Sequence, residues 1–88
     1  MKQEVMTLHE FIGSIGDRGL FLDTFTEMRE LGIQYVLRIP NSLRYFPTRR
    51  KTGAWVEENC QGNVYFYNDY YLGFELNEDI VAFKMMWF

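Results

Sequence analysis

Cysteine, proline and histidine are scarce in this chain of 88 residues, which holds one cysteine, two prolines and one histidine. Because Cys60 is alone, no disulfide bond can form within the chain, whereas small secreted domains usually carry several. The first residues, MKQEVMTLHE, lack the apolar core of a signal peptide. No apolar run approaches the roughly 20 residues that a membrane span needs. We therefore expect a cytoplasmic protein with no membrane partner.

Recognisable motifs for catalysis, metal binding and cofactor binding are also missing. Cys60 and His9 have the chemistry of a nucleophile and a base, but nothing in the sequence brings them together. A lone cysteine at an apolar helical position usually serves packing. The acidic pair Glu57–Glu58 is a poor metal site, because adjacent residues on a helix point apart. We expect no enzyme, no cofactor and no metal ion.

Acidic residues are absent from one internal segment, although the net charge of the chain is −3. Residues 1–30 and residues 57–88 hold six acids each, and none lies between Glu30 and Glu57. Five bases fall in that interval: Arg38, Arg44, Arg49, Arg50 and Lys51. The sequence therefore predicts an acidic molecule with one basic segment.

Aromatic residues, in contrast, are abundant at 18% of the chain, and apolar residues make up 48%. This composition excludes a disordered chain, and the length predicts one domain over residues 1–88. The rings either fill a small core, burying about 150–250 Å² each, or supply an aromatic contact surface.

Two amphipathic helices are predicted in the first third of the chain. Thr7 and Glu10 have the spacing of a capping box, in which each side chain accepts from the backbone N–H of the other residue. Apolar residues at helical spacing follow, which predicts a helix over residues 8–15. A second such pattern predicts a helix over residues 20–31, ended by Gly32.

The middle of the chain predicts a strand, a loop and a short helix. Residues 33–39, IQYVLRI, are rich in β-branched and aromatic residues. Residues 42–53, SLRYFPTRRKTG, show little periodicity and are predicted to be a loop. Thr52 is a suitable cap for a helix over residues 53–61, with a strand as the alternative. In the helical interpretation, Trp55, Val56 and Cys60 face inward while Glu57 and Glu58 face water.

Residues 63–76, NVYFYNDYYLGFEL, predict a β-hairpin. Asn68–Asp69 separates two aromatic runs, as a two-residue hairpin loop would. Both alternating sets of side chains carry bulk, so the pattern leaves open which face is buried.

A last helix is predicted to begin at Asn77, a good N-cap, with two acids in its first turn. Ile80, Phe83 and Trp87 share one face of it, and the terminal rings either pack onto the sheet or begin a last edge strand. From residue 33 the order is strand, helix, strand, strand, helix. We therefore predict an α+β domain with a small antiparallel sheet, in a split βαβ, ferredoxin-like order with two N-terminal helices.

The basic segment and the hairpin tyrosines are the candidate partner-binding residues: Arg44, Tyr45, Arg49, Arg50, Lys51, Tyr65, Tyr67 and Tyr70. Arginine and lysine side chains bind the acidic residues of a protein partner or the phosphates of a nucleic acid. Tyrosines supply contact area to a protein or stack on nucleobases. The alternatives are a solvated basic loop and tyrosines that fill the core. Net acidity favours a protein partner over nucleic acid.

Two stretches, WVEENCQG at residues 55–62 and FELNED at residues 74–79, resemble small proteins encoded by tailed bacteriophages. Phe83, Lys84 and Trp87 extend the likeness, which covers residues 53–87. Most of those proteins have no known function, and no active site transfers from them. The resemblance implies a phage-encoded accessory or inhibitory factor that binds a host protein. The alternative function is a single-stranded nucleic-acid-binding module that uses the basic loop and the tyrosine hairpin.

Overall fold

The chain forms four helices and four strands in the part that the computed structural model describes, residues 5–15, 22–40, 43, 46–67 and 70–88. Side chains are described for residues 5–14, 24–40, 43, 50–67 and 70–88. In chain order the elements are β1 (Val5–Thr7), α1 (Leu8–Ile15), α2 (Leu22–Glu30), β2 (Tyr35–Arg38), α3 (Phe46–Asn59), β3 (Val64–Phe66), β4 (Tyr71–Phe74) and α4 (Asn77–Trp87). The predicted α+β class is confirmed.

The four strands form one antiparallel sheet in the order β1-β2-β4-β3. Because β4 pairs antiparallel with both β2 and β3, the β2-α3-β3 unit is the predicted split βαβ. The fourth place in the sheet is taken by β1, which the sequence analysis missed, instead of by a strand at the other end of the chain. Trp87 and Phe88 begin no strand: Trp87 ends α4 and packs against the core, and Phe88 caps the helix.

The sheet carries helices on both faces. Consecutive residues of a strand point to opposite faces, and on β2 the buried residues Val36 and Leu37 accordingly enter two different clusters. One cluster joins the sheet to α3 and α4 through Leu37, Val56, Leu72, Phe74, Ile80 and Phe83. The other joins it to α1 and α2 through Leu8, Phe11, Phe25, Met28, Ile33 and Val36. The two helical layers are thus separated by the sheet.

Helix α1 begins and ends as predicted, while α2 ends one residue before its predicted end and its predicted start at residue 20 lies outside the described residues. The Thr7 N–H donates to Glu10 Oε1 at 3.0 Å, and the Glu10 N–H donates to Thr7 Oγ1 at 3.1 Å, which confirms the capping box. Helix α2 ends at a left-handed glycine, Gly32, with φ of 78°. The N–H groups of Gly32 and Ile33 donate to the carbonyls of Arg29 and Met28, closing a Schellman motif.

The predicted loop over residues 42–53 is wrong, because α3 begins at Phe46 and includes most of that segment. Pro47 does not prevent this, since proline is tolerated in the first turn, where N–H groups have no partner inside the helix. Thr52 is not the cap of the helix but a buried residue within it, one turn before buried Val56. The predicted helix over residues 53–61 is therefore the second half of a longer one, and the strand alternative is excluded.

The hairpin has a different register from the predicted one. A two-residue loop at Asn68–Asp69 would set Phe66 opposite Tyr71, but Phe66 pairs with Leu72. The Tyr67 N–H donates to the Tyr71 carbonyl at 3.2 Å, which leaves three residues in the connection. The sequence left open which of the two alternating sets of hairpin side chains is buried on which face. In the structure, Leu72 and Phe74 face the α3–α4 side of the sheet.

Helix α4 starts one residue earlier than predicted. Leu76 is its N-cap and makes no side-chain cap, so Asn77 is the first helical residue. The acids Glu78 and Asp79 do fall in the first turn, and Ile80 and Phe83 are buried, as predicted.

Candidate protein-docking surface

Helices α3 and α4 lie side by side and run in opposite directions. At one end, the buried Asp79 carboxylate accepts hydrogen bonds from the backbone N–H groups of Gln61 and Gly62, just after α3. Further along α4, the Phe83 ring contacts the Trp55 ring edge to face, with centroids 5.9 Å apart. Asp79, early in α4, thus contacts residue 61, whereas Phe83, one turn later in α4, contacts the earlier residue Trp55. The end of α4 therefore lies beside the first half of α3.

The outer side of α4 is apolar and exposed. Val81 is 50% exposed, Met85 84% and Met86 58%, and Ala82 is exposed beside them. Val81, Ala82 and Met85 have the spacing of one helical face, opposite the face that buries Ile80. Exposed apolar side chains that stand singly are common, whereas a group of them on one helix is a candidate for an interaction surface.

The outer side of α3 is charged, with the two signs at opposite ends. Arg50 and Lys51 are exposed near its start, and Glu57 and Glu58 are exposed in its last turn. Because Arg50 and Glu57 are seven residues apart, as are Lys51 and Glu58, each pair lies on one helical face. Between them the small Ala54 is exposed.

Both helices contribute to one surface, which we call the α3–α4 outer face: Arg50, Lys51, Ala54, Glu57, Glu58, Glu78, Val81, Ala82, Met85 and Met86. At the end of α4, the Lys84 ammonium lies 5.5 Å from the centroid of the Phe88 ring. Since the helices are antiparallel, the bases of α3 lie toward Lys84 and the acids of α3 lie toward Glu78. Along α3 the face is thus basic at one end and acidic at the other, and the apolar residues of α4 lie beside these charges.

Two of the five predicted binding residues in the basic segment are on this face. Arg50 and Lys51 are exposed, and they project from a helix instead of the predicted loop. Arg49 belongs to the same helix, but its side chain is outside the described part of the structure. Arg44 and Tyr45 are outside the described residues altogether.

The hairpin tyrosines are elsewhere. The Tyr65 hydroxyl donates to Glu27 Oε2 at 3.1 Å, and burial, followed by this carboxylate, raises the pKa of Tyr65. The Tyr67 ring packs edge to face on Phe11, with centroids 5.2 Å apart, and stacks on Phe25. Both rings belong to the cluster on the α1–α2 side of the sheet, and only Tyr70 is half exposed. The structure therefore does not bring Tyr65 and Tyr67 together with Arg50 and Lys51.

The cysteine and the histidine are not brought together either. Cys60 packs on the α3–α4 side of the sheet, and His9 is exposed on α1, across the sheet from it. Burial first, and the Asp79 carboxylate second, raise the pKa of the Cys60 thiol to about 11. A thiol with this pKa is protonated at neutral pH and is a poor nucleophile.

The described part of the chain contains no group of three or more His, Cys, Asp or Glu placed to hold a metal ion. None of the helices described is long and apolar enough to cross a membrane.

The apolar half of the outer face was missed in the sequence, although a signal for it exists. Once Ile80, Phe83 and Trp87 are assigned to the buried face of α4, the remaining Val81, Met85 and Met86 must point elsewhere. Nothing in a single sequence says whether another element of the same chain covers them.

Comparisons with known proteins identify no relative. No protein-family model, curated protein or solved structure matches the chain. The resemblance of residues 53–87 to small phage proteins stays a prediction, and function has to be inferred from the surface of the protein itself.

Proposed function

We propose that the protein is a non-enzymatic binding module that docks a protein partner on the α3–α4 outer face. The observation that carries this proposal is the exposure of Val81 and Met85, one turn apart on the outer side of α4, with Met86 exposed at the edge of that side. Burying a methionine or valine side chain fully contributes about 1.5–3 kcal/mol, so this helix alone offers a partner several kcal/mol. Methionine also adapts its shape to different partners, because its side chain is unbranched and flexible.

The charges around the apolar strip favour a protein over nucleic acid. Glu57, Glu58 and Glu78 lie on the same face as Arg50 and Lys51. Phosphates would be attracted at one end of this face and repelled at the other. Single-strand binding by the hairpin is the weaker proposal, since Tyr65 and Tyr67 direct much of their surface into the α1–α2 cluster.

The absence of an enzymatic role is supported by the separation of the two residues with nucleophile and base chemistry. His9 and Cys60 are on opposite sides of the sheet, and the raised pKa of Cys60 keeps its thiol protonated. A protonated thiol is a weak nucleophile, which supports a packing role for Cys60 instead of a catalytic one.

The identity of the partner rests on the resemblance to small phage proteins. Helices α3 and α4 supply about half of residues 53–87, the segment that carries it. Under this proposal the chain is phage-encoded, works in the host cytoplasm, and binds a host protein as an accessory or inhibitory factor. Arg44, Tyr45 and Arg49 adjoin the basic end of the face in sequence and extend the proposed contact.

The test is capture from host-cell lysate with a pair of matched variants, with and without nuclease. Met85→Lys places a charge in the middle of the apolar strip, in the last turn of α4, where a base suits the helix dipole. Leu31→Lys makes the same kind of change at an exposed leucine just after α2, on the other side of the sheet. Both should fold, which the thermal midpoint checks.

We expect wild type and Leu31→Lys to retain the same protein after nuclease treatment, and Met85→Lys to lose at least about 90% of it, a change of roughly tenfold in affinity. Equal capture by Met85→Lys and wild type would contradict the proposed surface. Loss of all captured protein on nuclease treatment would instead favour the nucleic-acid alternative.

A further inference from the structure

The two ends of the α3–α4 outer face carry opposite charge. Arg50 and Lys51 form the basic end. Glu57, Glu58 and Glu78 form the acidic end. The exposed apolar residues Val81, Ala82 and Met85 of α4 lie beside the charged side of α3. A half-turn about an axis that lies in the plane of this face, across the two helices, brings two copies face to face and exchanges the acidic end with the basic end.

The charges of α3 are not explained by the stability of the helix itself. Acids are favourable in the first turn of a helix and bases in the last, each by about 0.3–1 kcal/mol. Helix α3 has no acid in its first turn and no base in its last, and Glu57 and Glu58 stand where they oppose the dipole. The order of charges along α3 therefore lowers the stability of the helix, which points to a role outside it.

We infer that a second copy of this chain covers the α3–α4 outer face, related to the first by a two-fold axis. The acidic end of each copy then lies over the basic end of the other, and the two apolar strips on α4 meet beside them. The inference rests on the proposed function, since it names a protein partner for the same face. Other occupants fit less well: an acidic protein or an anionic membrane is repelled at the Glu57–Glu58 end, and a basic protein at the Arg50–Lys51 end.

The size of the face sets the strength of the contact. From 14 residues in α3 and 11 in α4, with a rise of about 1.5 Å per residue and a width of about 10 Å per helix, the face measures roughly 20 Å on each side. Two such faces bury roughly 800 Å² in total, below the ~1,200 Å² at which stable interfaces begin, so we expect a weak dimer with a micromolar dissociation constant. A partner that binds the same face more tightly competes with the second copy.

Sedimentation velocity on two charge-reversed variants tests the inference. In Glu57→Lys/Glu58→Lys both ends of the face are basic, and in Arg50→Glu/Lys51→Glu both ends are acidic. At about 100 µM, wild type is expected to sediment at twice the 10.6 kDa of one chain, and each variant alone at the mass of one chain. Each reversal counts twice in a two-fold dimer, so the dissociation constant rises about tenfold or more.

The decisive sample is an equimolar mixture of the two variants. Every basic end then meets an acidic end, so the dimer mass returns, which a variant that fails to fold cannot produce. Arg29→Glu, at an exposed position on α2 across the sheet, is the control and keeps the wild-type mass. A wild type that remains a single chain at 100 µM, or a mixture that stays monomeric, overturns the inference. If wild type is monomeric but Met85→Lys still abolishes capture, the docking function stands and the dimer is overturned. If the mixed variants form a dimer but wild type captures no host protein, the dimer stands and the docking function is overturned.

Discussion

The buried carboxylate of Asp79 accepts the backbone N–H of Gly62 at 2.9 Å, which ties the start of α4 to the segment that follows α3. The same carboxylate accepts the N–H of Gln61. The favourable place of an acid in the first turn of α4, which the sequence predicts, explains only part of the role of Asp79. Its contacts bridge 17 and 18 residues of sequence, and they hold α3 and α4 in the register that forms the outer face.

Replacing Asp79 with alanine should lower the free energy of unfolding by about 3 kcal/mol. The substitution leaves two N–H groups without their acceptor at a site where Asp79 is 5% exposed, and it removes an acid from the first turn of α4. Urea unfolding followed by tryptophan fluorescence measures the change. Glu78→Ala, at the neighbouring exposed acid, is the control and should cost less than about 1 kcal/mol. Equal losses in the two variants would mean that the Asp79 bridge contributes little.

Alanine at Gly62 and at Gly53 should change stability in opposite directions. A Cβ at Gly62 would lie 2.7 Å from Cγ of Leu76, the N-cap residue of α4. Gly62→Ala is therefore expected to lower the free energy of unfolding by about 1–3 kcal/mol. A Cβ at Gly53, inside α3, would meet nothing within 4 Å. Gly53→Ala is therefore expected to raise the free energy of unfolding by about 0.5–1 kcal/mol, because alanine favours the helix. A stabilising Gly62→Ala would contradict the packing between α4 and the segment after α3.

The Cys60 thiol should react slowly while the protein is folded. Its pKa of about 11, compared with an ordinary value of 9.0, lowers the thiolate fraction near pH 8 by about 100-fold. We expect iodoacetamide to alkylate the folded chain roughly 10- to 100-fold more slowly than the urea-unfolded chain. The rate should keep rising with pH up to about 11, since an acid with a raised pKa stays protonated until then. A rate that levels off near pH 9 would show that burial and Asp79 do not act on the thiol as described.

The elements that the sequence predicted well are those whose signals are local. The Thr7–Glu10 capping box, the stop at Gly32 and the inward face of α4 each depend on residues within one or two turns of each other. The split βαβ order followed once the strand before α3 and the hairpin were recognised.

The errors concern features that depend on distant parts of the chain. Strand β1 is three residues long, too short for an alternation pattern, and it is specified by pairing with β2 about 30 residues later. The start of α3 carries few apolar residues at helical spacing, so the hydrophobic pattern gives no signal for a helix there. It is held by burial of Thr52 and Val56. For the same reason, the exposure of Met85 could be read only after the packing of α4 on the sheet was known.

Oxidative footprinting of the methionines is the most direct test that protein covers the α3–α4 outer face. Met85 and Met86 are exposed in the single chain, while Met28 is fully buried and serves as an internal reference. The rate of methionine oxidation by a low dose of peroxide is measured by mass spectrometry in three samples. They are the dilute chain, the complex captured from lysate, and the chain at about 100 µM, where the dimer is expected to form. The account predicts that oxidation of Met85 slows at least about fivefold in either protein-bound sample, because burial limits access to the sulfur. Oxidation of Met85 at the same rate in all three samples would contradict it.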